Sequence, residues 1–162
     1  MTTQPHPQPT PPGGTFDGPL HLYAVRVYYE DTDLSGIVYH ANYLRWFERA
    51  RSDVLRMLEI DQRAAIEAGV GAYAVADLQL KYVRPAKLDD DVVIHTRCTQ
   101  LKAASVIMHQ RAIRGSELLC EATFRVGFVA PDGRPRRQPE AWRDAFAPII
   151  SQAPTASKES SS

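Results

Sequence analysis

Between His21 and Tyr29 the side chains alternate, with Leu22, Ala24, Arg26 and Tyr28 on one side and Tyr23, Val25, Val27 and Tyr29 on the other, a period of two that predicts a strand. From Asn42 to Leu58 the period lengthens. Tyr43, Trp46, Phe47, Ala50, Val54, Leu55 and Leu58 recur at steps of three and four, while Arg45, Arg49, Arg51, Ser52, Asp53 and Arg56 take the other positions. This predicts a long amphipathic helix whose apolar stripe, with two aromatic rings, is wide enough to lie across a sheet. A short polar helix follows over Asp61–Ala68, stopped by Gly69 and Gly71. Four runs rich in Val, Ile, Thr, Tyr or Phe come next: Ala74–Arg84, Asp91–Leu101, Ala103–Arg114 and Glu117–Ala130. Their short separations read as antiparallel links between consecutive strands. Pro131-Asp132-Gly133 closes the last run as a turn, and Pro139–Ile150 is expected to form a final helix with Pro at its start.

One long helix and about five antiparallel strands define an α+β arrangement in which the helix is covered only if the sheet curves around it. The exposed edges and outer face then call for a second copy of the chain. The ends differ from this middle. Residues 1–19 begin with Pro5, Pro7, Pro9, Pro11 and Pro12 among polar residues, and 151–162 are Ser-rich around Pro154, so both are expected to be disordered tails flanking one domain over 20–150.

Charge narrows the classes of function. Lys and Arg together number 19, as do Asp and Glu, so the 162-residue chain has no net charge and lacks the basic footprint of a nucleic-acid binder. Its apolar runs are far shorter than the ~20 residues a membrane-spanning helix needs. Cys98 and Cys120 fit no metal spacing; without a secretory signal they read as reduced, packed thiols of a cytoplasmic protein.

Candidate chemistry is concentrated between the first strand and the long helix, in Tyr29-Glu30-Asp31-Thr32-Asp33-Leu34-Ser35-Gly36-Ile37-Val38-Tyr39-His40. Three carboxylates, a glycine that permits a tight turn, and His40 just before the helix bring an anionic nucleophile or base close to unpaired backbone N–H groups. That combination suits acyl chemistry, because a helix start can hold a developing oxyanion. Plainer readings stand beside it: Asp31 and Asn42 as caps or Asx-turn residues, His40 as a surface histidine, and Tyr29 and Tyr39 as packing residues with wet hydroxyls. Carboxylate plus imidazole at Asp31, Asp33 and His40 could also bind a metal, but no further His or Cys stands at ligand spacing, and no metal or cofactor is expected.

Taken together, Tyr29-Glu30-Asp31-Thr32-Asp33, Gly36, Val38-Tyr39-His40-Ala41-Asn42-Tyr43 and Phe47-Glu48-Arg49-Ala50-Arg51 resemble the hotdog-fold acyl-CoA thioesterases. The likeness is to the 4-hydroxybenzoyl-CoA thioesterase type, and most of all to the group associated with the Tol-Pal envelope system. It covers about Val25–Ala130. It implies a hotdog fold, a central helix wrapped by an antiparallel sheet, and hydrolysis of acyl-CoA to free acid and coenzyme A. The family's catalytic aspartate falls on Asp33, acting as nucleophile or as general base. His40, seven positions on, falls where the family's backbone N–H faces the thioester carbonyl, and Tyr29 matches a tyrosine beside the aspartate, so that the His40 ring and the Tyr29 hydroxyl are expected to orient Asp33 or the water. Leu34 is a departure, since the family often has a small residue there.

The resemblance further implies acyl-CoA as the partner molecule, a homodimer or homotetramer, and an association with the Tol-Pal system. Lys81, Arg84 and Lys87 are candidates for the coenzyme A phosphates, with solvated edge-strand charges as the plain alternative. Trp46 and Phe47 are candidates for the acyl site, although aromatic burial makes core packing the stronger reading for each. Glu48 is read as a structural group, because Asp33 already fills the catalytic position. Two other activities fit the same chain: a hotdog hydratase or dehydratase acting on acyl thioesters, and a noncatalytic acyl-CoA-binding or envelope-associated module.

Overall fold

The computed structural model describes residues 3–155. A six-stranded antiparallel sheet curves around one long helix. The strands are β1 (Thr15–Asp17), β2 (Leu20–Arg26), β3 (Ala72–Tyr82), β4 (Asp91–Leu101), β5 (Ser105–Arg114) and β6 (Glu117–Val129). The helices are α1 (Asn42–Met57), α2 (Gln62–Glu67) and α3 (Glu140–Phe146), the last continued by a 3-10 turn over Ala147–Ile149. The long helix therefore falls where the period of three and four predicts it. Asp61 caps α2 by accepting from the Ala64 amide.

The sheet order is β1-β2-β4-β5-β6-β3. The last three runs pair consecutively as expected, β4 with β5 and β5 with β6, but the expected pairing of the first two is corrected: β3 pairs with β6, and β4 with β2. The reason lies in the link 83–90, which does not turn back as a hairpin. It crosses the end of the sheet, with Ala86 O accepting from Val38 N and with Asp90 O and Asp89 N bonded to Val27. That crossing brings Lys87 into a bridge with Ile37, beside the carboxylate-rich loop.

Inner faces of β4, β5 and β6 supply Val92, Ile94, Met108, Ala112, Ala122 and Phe124 to the core, and α1 lays Tyr43, Trp46, Phe47, Ala50 and Val54 against them. Each buried Val, Ile, Met or Phe among them contributes about 1.5–3 kcal/mol of hydrophobic stabilisation, and each Ala about 0.8 kcal/mol. Cys98 and Cys120 are buried, unpaired thiols, pushed up to about 12 by burial, and act as packing groups.

Two further expectations are revised. The first strand ends at Arg26, and Tyr29–Asp31 is a 3-10 turn, because the Asp31 carboxylate takes the Tyr28 amide at 2.8 Å. Residues 15–17, placed by composition in a tail, form β1 and pair with β2, giving a sixth strand. The strap is held by Gly14 N donating to Asp53 Oδ2 at 2.9 Å, where His21 Nε2 also meets the same oxygen at 2.7 Å. A Cβ on Gly14 would come within 2.5 Å of Leu22 O, so only glycine fits there. At the other end Ser151 N is bonded to Cys98 O, and the part of the expected Ser-rich tail from 156 onward lies outside the described residues.

Candidate active site

The loop between β2 and α1 closes on itself as a tight turn. Thr32 bridges to Val38, Asp33 N donates to Ile37 O at 2.9 Å, and Gly36 N donates to Asp33 O at 3.1 Å, with Gly36 at φ 81°. Tyr39 N then donates to Asp31 O, and Asn42 N to Tyr39 O, so the loop runs directly into the start of α1.

The loop divides its carboxylates between two uses. Asp31 is buried and takes the Tyr28 amide on one oxygen and Asn42 Nδ2 on the other at 2.8 Å, which is the capping role open to it from the sequence. Asp33 is exposed. Ser35 donates to its Oδ1 from the backbone at 2.8 Å and from the hydroxyl at 2.5 Å. These Ser35 bonds hold its carboxyl below the usual carboxylate range, with His40 lowering it further through space. Asp33 is therefore ionised at neutral pH and faces solvent.

His40 lies at the tip of α1, its ring 4.4 Å from that of Tyr39 and 6.4 Å, edge-on, from Tyr82. The Tyr82 hydroxyl donates to His40 O at 2.5 Å. Desolvation raises the Tyr82 phenol, so it stays a donor. That bond pins the His40–Ala41 peptide at the positive end of the helix, where N–H groups lack intrahelical partners, and the His40 N–H, on the preceding peptide, has no backbone partner among the described residues. Asp33, Ser35, His40 and Tyr82 thus form one group. Tyr29 stands apart: it is 82% exposed, and among the described residues only its backbone carbonyl is engaged, by Thr32.

The other sequence candidates separate in the same way. Phe47 is fully buried against Phe124, 5.8 Å between ring centres, so it belongs to the core and not to an acyl site. Trp46 is also buried but borders an open hollow of about 690 Å³ with Tyr23, Arg26, Asp31 and Arg49. Lys87 lies beside the loop through its bridge to Ile37. Arg84 is held by Glu117 at 3.1 Å, and Lys81 is an exposed residue of β3 whose register partner is Glu121. Glu48 exposes its carboxylate on α1 at the rim of a second hollow. Ser35 and Tyr82 were missed. The Asp-x-Ser spacing of an Asx-turn could have signalled the first, whereas nothing local joins Tyr82 to a residue 42 positions away.

A helix lying in a curved antiparallel sheet, with a carboxylate-bearing turn at its N-terminus, defines a hotdog-fold protein. The thioesterase superfamily model matches residues 35–121, more than half of the chain. The chain belongs to that superfamily. It is 43% identical over 107 residues to the acyl-CoA thioesterase YbgC of Haemophilus influenzae, across 66% of this chain and 79% of that one. It is 40% identical over 124 residues to the acyl-CoA thioester hydrolase YbgC of Escherichia coli, across 75% and 92% of the two chains. The crystal structure of a probable thioesterase from Bartonella henselae superposes with a TM-score of 0.70 at 35% identity, covering 74% of this chain and 99% of that one.

Proposed function

We propose that this protein hydrolyses acyl-CoA thioesters to free acid and coenzyme A, with Asp33 as the reacting carboxylate and the His40 peptide N–H as the oxyanion donor. The observation that carries the assignment is the exposed Asp33 carboxylate, kept ionised by Ser35 in the turn that leads into the α1 tip. Two routes use the same atoms. In one, an Asp33 oxygen attacks the thioester carbon, the C–S bond breaks, the thiolate leaves, and water then hydrolyses the mixed anhydride. In the other, Asp33 takes a proton from the water that attacks. In both, negative charge on the carbonyl oxygen develops toward the helix N-terminus, where one well-placed donor is worth about 3–4 kcal/mol. The His40 ring orients the acyl carbonyl or the water. Lys87, beside the loop, receives a phosphate of coenzyme A.

The site is open on a single chain. Leu34, next to Asp33, is fully exposed, and the edge strand β3 leaves Val75, Leu78 and Tyr82 uncovered. A second copy pairing along β3 buries these side chains and walls the site, which makes the working form a homodimer or a higher homo-oligomer. Light scattering at micromolar concentration tests this, and a monomer there refutes it. No described helix is long and apolar enough to cross a membrane. The location proposed for the reaction is the cytoplasm, on the ground of the acyl-CoA substrate alone, and an association with the Tol-Pal system is testable by co-purification.

The decisive experiment follows free thiol from short-chain, long-chain and aromatic acyl-CoAs. Release by wild type that is abolished in Asp33→Ala supports the assignment. Hydration of an enoyl-CoA without thiol release would make the protein a hydratase, and binding without turnover a carrier.

A further inference from the structure

The helical period of α1 places Arg51 on its polar side, yet the fold leaves that residue only 9% exposed. Its Nη1 donates to Gln110 Oε1 at 2.9 Å, and its guanidinium carbon lies 4.1 Å from the centre of the Phe124 ring. Gln110 is fully buried and cannot turn over, because its amide nitrogen donates to Phe47 O at 3.0 Å and to Thr96 Oγ1 at 2.9 Å. Its oxygen therefore has to face Arg51. Among the described residues no carboxylate reaches ion-pair distance of Arg51, and Glu48 acts on it only through space. Desolvation pushes the guanidinium down to about 10, so at neutral pH it keeps its charge. A buried cation satisfied by a neutral amide and a ring face is an unusual arrangement, since burial without an opposite charge is costly.

The guanidinium borders a hollow of about 210 Å³ whose wall includes Glu48, Ser52, Tyr73, Val75 and Met108. With Nη1 engaged by Gln110, the edge formed by Nε and Nη2 has no hydrogen-bond partner among the described residues, and this is the fork that matches two carboxylate oxygens. Glu48 is exposed at the rim, where water screens it; the buried guanidinium is screened far less. The wall also points back to the reacting loop. Arg51, Glu48, Leu44 and Ala41 follow one another at steps of three and four along one stripe of α1, and Ala41 is the residue after His40. Along the helix axis that path is about 15 Å, the reach of a medium-chain acyl group whose thioester sits at the helix tip.

We infer that this hollow receives the far end of the acyl chain and that Arg51 is a specificity residue selecting chains that end in an acceptor oxygen, above all a carboxylate. The inference rests on the thioesterase reading, and its test separates the two. Thiol release is measured with full-length protein on three CoA thioesters of equal length: decanoyl, ω-hydroxydecanoyl, and the monothioester of sebacic acid. The wild type is expected to favour the ω-carboxylate over decanoyl by about tenfold or more in kcat/KM, chiefly through KM, with the ω-hydroxy substrate between them. In Arg51→Gln the ratio should fall toward one, and Arg51→Lys should restore part of it. A wild-type preference for the methyl-terminated chain overturns the inference while leaving hydrolysis intact, and it needs no variant. So does an unchanged ratio in an Arg51→Gln protein that melts cooperatively. Release from none of these nor from any other acyl-CoA overturns the hydrolytic reading, and this inference with it.

Discussion

His21 and Asp53 meet at 2.7 Å beneath the strap that carries β1, whereas His40 and Asp33 stand exposed around the tip of α1. The residue types are the same and the uses are opposite. His21 is fully buried between Phe16 and Tyr23, and desolvation lowers its pKa although Asp53 works against the shift. Its Nδ1 has no hydrogen-bond partner among the described residues, so the ring is held neutral, with Nε2–H donating to Asp53. Asp53 spends its Oδ2 on that ring and on Gly14 N, and joins strap, strand and helix. Asp33 is bonded only within its own turn, by Ser35, and keeps an open side. A carboxylate whose bonds tie distant segments together supports the fold; one engaged by a neighbour two residues away remains available for chemistry.

Breaking each pair should give different symptoms. Asp33→Ala is expected to cost about 10²–10⁴ in thioester hydrolysis with the denaturation midpoint unchanged, and near-normal turnover would remove Asp33 from the reaction. Asp53→Ala should do the reverse: about 1–3 kcal/mol of unfolding free energy lost in urea titration, because a buried donor on His21 and the Gly14 amide lose their acceptor, with hydrolysis per folded molecule retained.

Acid sharpens the contrast. The folded-state pKa of His21 lies below its ordinary 6.5, so the unfolded chain binds the proton more readily, and stability is complete above about pH 6.5 and declines as the pH falls through it. The loss is at most about 1.4 kcal/mol per pH unit and should be missing from His21→Gln; an equal slope in that variant would place the acid sensitivity elsewhere. Lys87→Glu beside the loop should raise KM for acyl-CoA by roughly tenfold and leave kcat largely intact, measured across salt concentration to show the charge origin. The smallest effect is expected from Ser35→Ala. Loss of the hydroxyl bond lets the Asp33 carboxyl rise toward its ordinary 3.8, so the acid limb of the pH–rate profile moves upward while the plateau at neutral pH stays close to wild type.

The motif from Tyr29 to Arg51 singles out the loop, in which Asp33 and His40 are both exposed and close enough for the imidazole to act on the carboxyl through space. Composition misleads at the N-terminus. Prolines and glycines read as a tail, but Gly14 is the residue small enough to pass between Leu22 O and Asp53, which lets β1 add to the sheet. Tyr29 fits the family pattern yet has its ring in solvent, while Tyr82, with no motif to mark it, holds the His40 carbonyl.

By itself the sequence determined the long helix, the strand runs, the apolar stripe and the position of the acidic turn, because side-chain period and turn chemistry are settled by residues a few positions apart. The tertiary structure alone decided that β3 pairs with β6, that Asp31 is a cap while Asp33 stays open, that His21 is sealed under the strap, and that Arg51 leaves the polar face for the interior. Those outcomes depend on contacts across long stretches of chain, such as the 59 positions between Arg51 and Gln110. Local periodicity carries no information about which distant neighbour will supply a side chain's bonds, and the curvature of the sheet around α1 is what brings those neighbours together.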